Sequence, residues 1–187
     1  MYILVDDHIR LELTDAKHAQ PLLDVVNKNR THLAEFLPWV EYMQSVEDFK
    51  AYIRSCDILF QQQREVSFMI FYDGQLAGRI GLHHMNMQNK QAAIGYWLTK
   101  NMEGKGIITQ SCKTLISYGF NNLQLHRIEI KAATHNIKSQ AIPEKLHFKK
   151  EGVLREAELV NNVYFDLFVY ALLRHEWPYK EEVTPSH

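Results

Sequence analysis

From His8 to Thr14 the apolar residues Ile9, Leu11 and Leu13 recur at every second position. A period of two predicts a strand with one face buried. The following segment, Thr14–Asn29, changes period. Ala19, Leu22, Leu23 and Val26 recur at helical spacing, with Thr14 or Asp15 as N-cap. "FLPW" (Phe36–Trp39) breaks that helix at Pro38. "SVEDFKAYIRSCDILFQQQ" predicts a second long helix, capped by Ser45 with Asp48 closing a capping box.

Two β-rich runs flank Asp73-Gly74, which predicts a hairpin. "QAAIGYWLTK" predicts a further strand, with Ala93, Gly95 and Trp97 on one face and Ile94, Tyr96 and Leu98 on the other. From Lys105 to Leu123, Ile108, Cys112, Leu115, Ile116, Gly119 and Phe120 mark one helical face. "HRIEIKAAT" predicts a strand. "NIKSQAIPEKL" predicts a short helix in which Pro143 must lie near the start to be tolerated. Two last strands turn at Asn161-Asn162, and the polar residues after Trp177 predict a loose tail. The order β-α-α-β-β-β-α-β-α-β-β implies one α+β domain over residues 1–177, built on a mostly antiparallel sheet, with 178–187 as tail.

At 187 residues, 46% apolar and 23% charged, the chain has the composition of a folded domain. Its net charge of −1 gives no global basic field to attract nucleic acid or an anionic membrane. No apolar run approaches the roughly 18 residues of a spanning helix. "MYILVDDHIR" lacks the basic start and long apolar stretch of a secretory signal, so the expected location is the cytoplasm. Cys56 and Cys112 form neither a disulfide framework nor a zinc motif, and read as reduced, buried thiols.

The glycines of "NMEGKGIITQS" (Asn101–Ser111) lie between a strand and a helix. A helix start offers unpaired N–H groups and partial positive charge, and glycine lets a ligand approach the main chain. Gly104, Lys105 and Gly106 therefore read as a pyrophosphate cradle or as a plain strand-to-helix turn. The P-loop pattern is absent because Ile107 follows Gly106, and the dinucleotide pattern fails at Thr109. Ten histidines invite a metal, but none has ligand spacing. His83 and His84, adjacent on a strand, are expected to point to opposite faces. Cys112, on an apolar helix face, reads as inert.

Together these segments resemble the GNAT acetyltransferase superfamily, and within it the Rim-type ribosomal-protein N-acetyltransferases. The likeness runs from "IRLELT" through "FLPW" to "YALLRHEW". It rests on the G-x-G segment, on N-x-x-S at Asn136–Ser139 and on "KLHFKKEG". It implies a three-layer fold whose mixed sheet splays open between the strand ending at Leu98 and the strand Ile128–Thr134. Acetyl-CoA, the co-substrate, would lie in that opening. Backbone N–H groups of Gly104, Lys105, Gly106 and Ile107 would hold its pyrophosphate, with Thr109 in the same helix turn. Trp97 and Leu98 would pair with the pantetheine amides, and Asn136 would bond the pantetheine arm. Three positions depart from the pattern. Asn101 stands at the motif's first position. Pro143 occupies the place of a tyrosine that serves many relatives as general acid. His147 occupies the place of a glycine.

Acetyl transfer to an amine needs a neutral amine, donors for the oxyanion and a proton for the leaving thiolate. Ser139 is the candidate acid by resemblance; its alternative role is to cap the helix. Glu158 is the candidate base, with Glu156 as fallback. A two-residue turn at Asn161-Asn162 would place Glu158 opposite Phe165 and raise its pKa, whereas the nearby charges allow a merely solvated carboxylate. A peptide α-amine is roughly one-tenth neutral at pH 7 and a lysine or polyamine amine hardly at all, so a weak base suits a protein N-terminus. Trp39, Glu41 and Tyr42 would wall the acceptor, unless Phe36 and Trp39 are core. The expected function is acetyl-CoA-dependent N-acetylation of a ribosomal or other protein N-terminus, with no metal, by an enzyme that resemblance suggests is a homodimer. An acetyltransferase for small amines and a non-catalytic CoA-binding regulator are the rivals.

Overall fold

The computed structural model describes residues 1–186. Eight strands form one sheet: β1 (Tyr2–Leu4), β2 (Ile9–Leu13), β3 (Val66–Tyr72), β4 (Gln75–Asn86), β5 (Gln91–Leu98), β6 (Arg127–Ala133), β7 (Lys149–Val160) and β8 (Val163–Leu173). Four α-helices accompany them: α1 (Ala19–Ala34), α2 (Val46–Gln61), α3 (Ile107–Ser117) and α4 (Ile137–Lys145). The strand order is β1-β2-β3-β4-β5-β6-β8-β7. Among the described residues, only β5 and β6 run parallel.

The period-two pattern sorts the sheet's two faces. Phe68, Ile70, Ile80, Leu82, Ile94, Ile128 and Ile130 pack with Ile107, Cys112, Leu115 and Leu146, and so lie under α3 and α4. Met69 and Trp97 pack on the other face with Leu22, Val26 and Leu33 of α1 and Phe49 and Ile53 of α2. This is a three-layer α+β arrangement with the sheet in the middle. Among the described residues, no helix is long and apolar enough to cross a membrane.

Local chemistry accounts for the element ends. Asp15 accepts from the Lys17 amide and caps a 3-10 turn at Ala16–His18 that runs into α1. Ser45 and Asp48 form the expected reciprocal box at the start of α2. Asn161 and Asn162 both take positive φ, 50° and 62°, as a two-residue primed turn demands. That turn pairs Glu158 with Phe165.

Several elements differ from expectation. Strand β1 has only three residues, too few to display a period. The helix expected over Lys105–Leu123 begins at Ile107 and passes into a π-helical turn at Tyr118–Asn122. Pro143 lies near the C-terminal end of α4, not its start. Residues 178–186 are held down rather than free. Asn121 donates to the carbonyls of Tyr179 and Glu181, Asn122 exchanges bonds with Val183, and Ser186 bridges to Tyr2.

His147, the residue in place of the resembled family's glycine, has φ 62°. Left-handed backbone costs an L-residue about 1–2 kcal/mol, which glycine avoids at a smaller entropic cost. His147→Gly is therefore expected to stabilise the fold, by on the order of 0.5–1 kcal/mol. Urea denaturation measures this, and an unchanged or lower midpoint would show that the strain is relieved elsewhere.

Candidate active site

Strands β5 and β6 pair only from Gln91↔Arg127 to Ile94↔Ile130. Beyond that point β5 continues to Leu98 beside β4, and β6 continues to Ala133 beside β8. The sheet is thus split, with Gly95–Leu98 on one lip and Lys131–Ala133 on the other. Backbone groups facing the split have lost their ladder partners, so a peptide-like ligand fits there. Trp97 and Leu98 lie on this lip. Trp97 is buried and its ring lies 6.0 Å from that of Trp39.

At the end of β5 a short 3-10 turn (Lys100–Met102) leads into Gly104, Lys105 and Gly106. Both glycines have φ +76°, and a Cβ at either would meet nothing within 4 Å. They are exposed, their conformation is one that glycine takes freely, and the space above them is open. Gly106 is the N-cap of α3, so the amides of Ile107 and its neighbours, through Thr109, start a helix without side-chain capping. This cradle fits a pyrophosphate. The Lys105 ammonium lies 5.1 Å from the centre of the Tyr72 ring, and the backbone is the better donor set.

Across the split, Asn136 caps α4 by accepting from the Ser139 amide at 3.0 Å. Ser139 is therefore not the cap, which corrects that alternative. The Asn136 side-chain nitrogen remains available to a ligand. The Ser139 hydroxyl lies 3.3 Å from the Tyr96 hydroxyl, which also donates to the Ser139 carbonyl at 3.0 Å. Lys138, the preceding residue, pairs with Glu103 of the glycine segment at 2.6 Å, and Glu103 also lies 3.4 Å from His32 of α1. The first turn of α4 is thus tied to the opposite lip twice. The sequence reading missed Tyr96, Lys138 and Glu103 in these roles; the alternation of Tyr96 with Ile94 and Leu98 signalled only its face.

Glu158 stands on the other face of the sheet. Its cross-strand partner Phe165 alternates with Phe168 and Tyr170, which point toward α3 and α4. Glu158 is half-buried, and burial pushes its carboxyl pKa above the ordinary value of 4.5. Phe165 is fixed by His135, whose ring meets it edge-on at 4.4 Å and lies 5.4 Å from Phe36. Glu156, the fallback base, sits exposed in a bulge at φ 49° with its amide donating to Asp166. Nearby, Arg30, Glu41, Gln44, Asn161 and Asn162 line an open groove of about 480 Å³. Asn161 donates to the Ala34 carbonyl at 2.9 Å and joins the hairpin tip to α1. Trp39 packs against the α1–α2 core, and Tyr42 is 74% exposed.

Two further expectations meet the geometry differently. His83 and His84 do not point apart. The sheet is irregular between His83 and Asn86, His84 has φ 52°, and the two rings lie edge-on at 4.7 Å. Burial lowers the His83 pKa to about 4. Among the described residues, no group of three or more His, Cys, Asp or Glu is placed to hold a metal ion. Cys56 and Cys112 are both free and buried, and burial raises both thiol pKa values.

Comparison with known proteins identifies the arrangement. Residues 8–149 match the family model described as the acetyltransferase (GNAT) domain. The chain is 37% identical over 174 residues to the putative ribosomal N-acetyltransferase YdaF of Bacillus subtilis, covering 92% of this chain and 95% of that one. It is 34% identical over 169 residues to the ribosomal-protein-serine acetyltransferase of Escherichia coli, covering 90% and 94%. The solved structure of RimL, a ribosomal L7/L12 α-N-protein acetyltransferase in complex with coenzyme A, superposes with a TM-score of 0.89. That match is 30% identical and covers 92% of this chain and 98% of RimL.

If Gly104 and Gly106 form the cradle, Gly104→Val should disturb ligand binding; its side chain meets no protein atom, so the fold loses only the roughly 1–2 kcal/mol that left-handed backbone costs an L-residue. Where the segment leaves the left-handed conformation to relieve that strain, binding must restore it, and CoA binds about tenfold more weakly. An undiminished CoA-induced rise in Tm in this variant would dismiss the cradle.

Proposed function

The chain belongs to the GNAT acetyltransferase domain family, whose members use acetyl-CoA to acetylate amines, and we propose that its acceptor is the N-terminal α-amine of a ribosomal protein. The observation that carries this reading is the setting of Glu158, a half-buried carboxylate opposite Phe165 with its pKa raised. Such a base is weak, and it suits an amine whose pKa lies near 8 rather than 10. The open groove beside the hairpin tip admits a chain end, and the named relatives act on ribosomal proteins. A cytoplasmic location follows from the same reading.

Bound acetyl-CoA supplies an acetyl group activated as a thioester. The amine attacks the thioester carbonyl directly while Glu158, through a water, accepts the proton the nitrogen sheds. As the C–S bond breaks, the Ser139 hydroxyl offers its proton to the sulfur, and water restores it. Backbone donors of Gly104 to Ile107 hold the pyrophosphate end, Trp97 and Leu98 pair with the pantetheine, and Asn136 steadies its arm. Trp39 and Glu41 flank the acceptor's path, and Tyr42 lies at its exposed margin.

Glu158→Gln is expected to lower turnover by about 10²–10⁴-fold while leaving CoA affinity within about twofold. With peptides bearing free N-termini, the wild-type kcat/KM should fall on the acid side in two steps, one at the α-amine's own pKa of about 8 and a lower one at Glu158, above 4.5. Only the lower step should vanish in the variant; its persistence would remove Glu158 from the mechanism. A polyamine turned over faster than every peptide would replace the proposed acceptor. The folded pKa is raised, so ionising Glu158 opposes folding, and stability declines as pH climbs through the raised value. Glu158→Gln should thus be the more stable protein at pH 7 and equal to wild type well below pH 4.5, as paired thermal melts would show.

A further inference from the structure

Residue 143 would, in a regular helix, donate its N–H to the carbonyl of residue 139. Pro143 has no N–H, so the Ser139 carbonyl lacks that partner. The group that meets it is the Tyr96 hydroxyl, which reaches from β5 and donates at 3.0 Å. The same oxygen lies 3.3 Å from the Ser139 hydroxyl. We propose that Tyr96 is a positioning residue for acetyl transfer: it fills the vacancy left by Pro143 and thereby holds the Ser139 hydroxyl at the thiol end of the split. This rests on the reading of Ser139 as proton donor.

Tyrosine has one hydroxyl proton and can still accept. When that proton goes to the Ser139 carbonyl, Tyr96 can only accept from the Ser139 hydroxyl. When it goes to the Ser139 hydroxyl oxygen instead, the Ser139 proton is free. In both arrangements Ser139 keeps a proton to give. Burial drives the Tyr96 pKa upward, so the phenol stays neutral over the working range and adds no charge beside a forming thiolate. Position and chemistry are coupled through one backbone carbonyl. The helix gives up a bond at Pro143, and the opposite lip of the split supplies it.

The test is a double-mutant cycle on the full chain, with steady-state kcat and KM for acetyl-CoA and a peptide acceptor. Tyr96→Phe keeps the ring and removes the hydroxyl. It is expected to lower kcat about tenfold with KM for acetyl-CoA within about twofold, the scale of one lost hydrogen bond. In a Ser139→Ala background the same change should cost less than twofold. In a Pro143→Ala background, where a backbone N–H again meets the Ser139 carbonyl, the loss from Tyr96→Phe should shrink. A Tyr96→Phe effect that is absent, or that adds in full to Ser139→Ala, overturns the positioning role while leaving Ser139 as donor. Unchanged turnover in Ser139→Ala overturns the donor reading and this inference with it.

Discussion

Everything at this site depends on the parting of one pair of strands. The parallel β5–β6 pair, the only parallel contact among the described residues, ends at Ile94↔Ile130 although both strands run on. Each strand keeps its outer neighbour, β4 or β8, so the split costs the fold only one side of the ladder. The unpaired edge is then a row of amides and carbonyls with fixed spacing, which a pantetheine arm can meet much as a strand would. The glycine segment lies at the end of one lip and the first turn of α4 at the other. One ligand can therefore be held at its phosphates and at its thioester by parts of the same opening.

One departure from the family pattern, Pro143, makes sense at that opening. Losing the helical tyrosine at 143 would seem to remove a proton source, and a proline there would seem to damage a nine-residue helix. The two losses meet at Ser139, where the Tyr96 hydroxyl satisfies the carbonyl and touches the side chain. A second tie, Lys138 to Glu103, links the same helical turn to the glycine segment. Both partners there are partly exposed, so it contributes little stability by itself. It shows how near the turn that carries Ser139 comes to the glycine segment.

What the sequence disclosed follows from which interactions are local. Strands with one buried face announce themselves by alternation, and Ile9, Leu11 and Leu13 suffice to mark β2. Asn161-Asn162 specified a primed turn, and the turn in turn set Glu158 against Phe165, because hairpin register is fixed by loop length. The three-residue β1 is too short for a period. The irregularity after His83 turns one ring toward its neighbour, and nothing in "HHM" marks it. Tyr96 and Ser139 are 43 residues apart, and their contact depends on an N–H that Pro143 lacks, so the pairing exists only once α4 is packed. The glycines were legible as a cradle only by resemblance, since two glycines before a helix serve equally as a turn.

The two faces of the split also argue for the kind of chemistry. Glu158 lies on the face of α1 and α2, whereas Ser139 belongs to α4 on the opposite face. A thioester threaded through the opening would be accessible from both faces. On the proposed reading the base would meet the amine and the acid the thiol, and neither would block the other. Cys112, the thiol of α3, is wholly buried with its pKa pushed up, so it is no nucleophile for a covalent acetyl intermediate. Direct transfer needs both reactants in place together, and a sheet split at one end of its β5–β6 pair would let each enter from its own face.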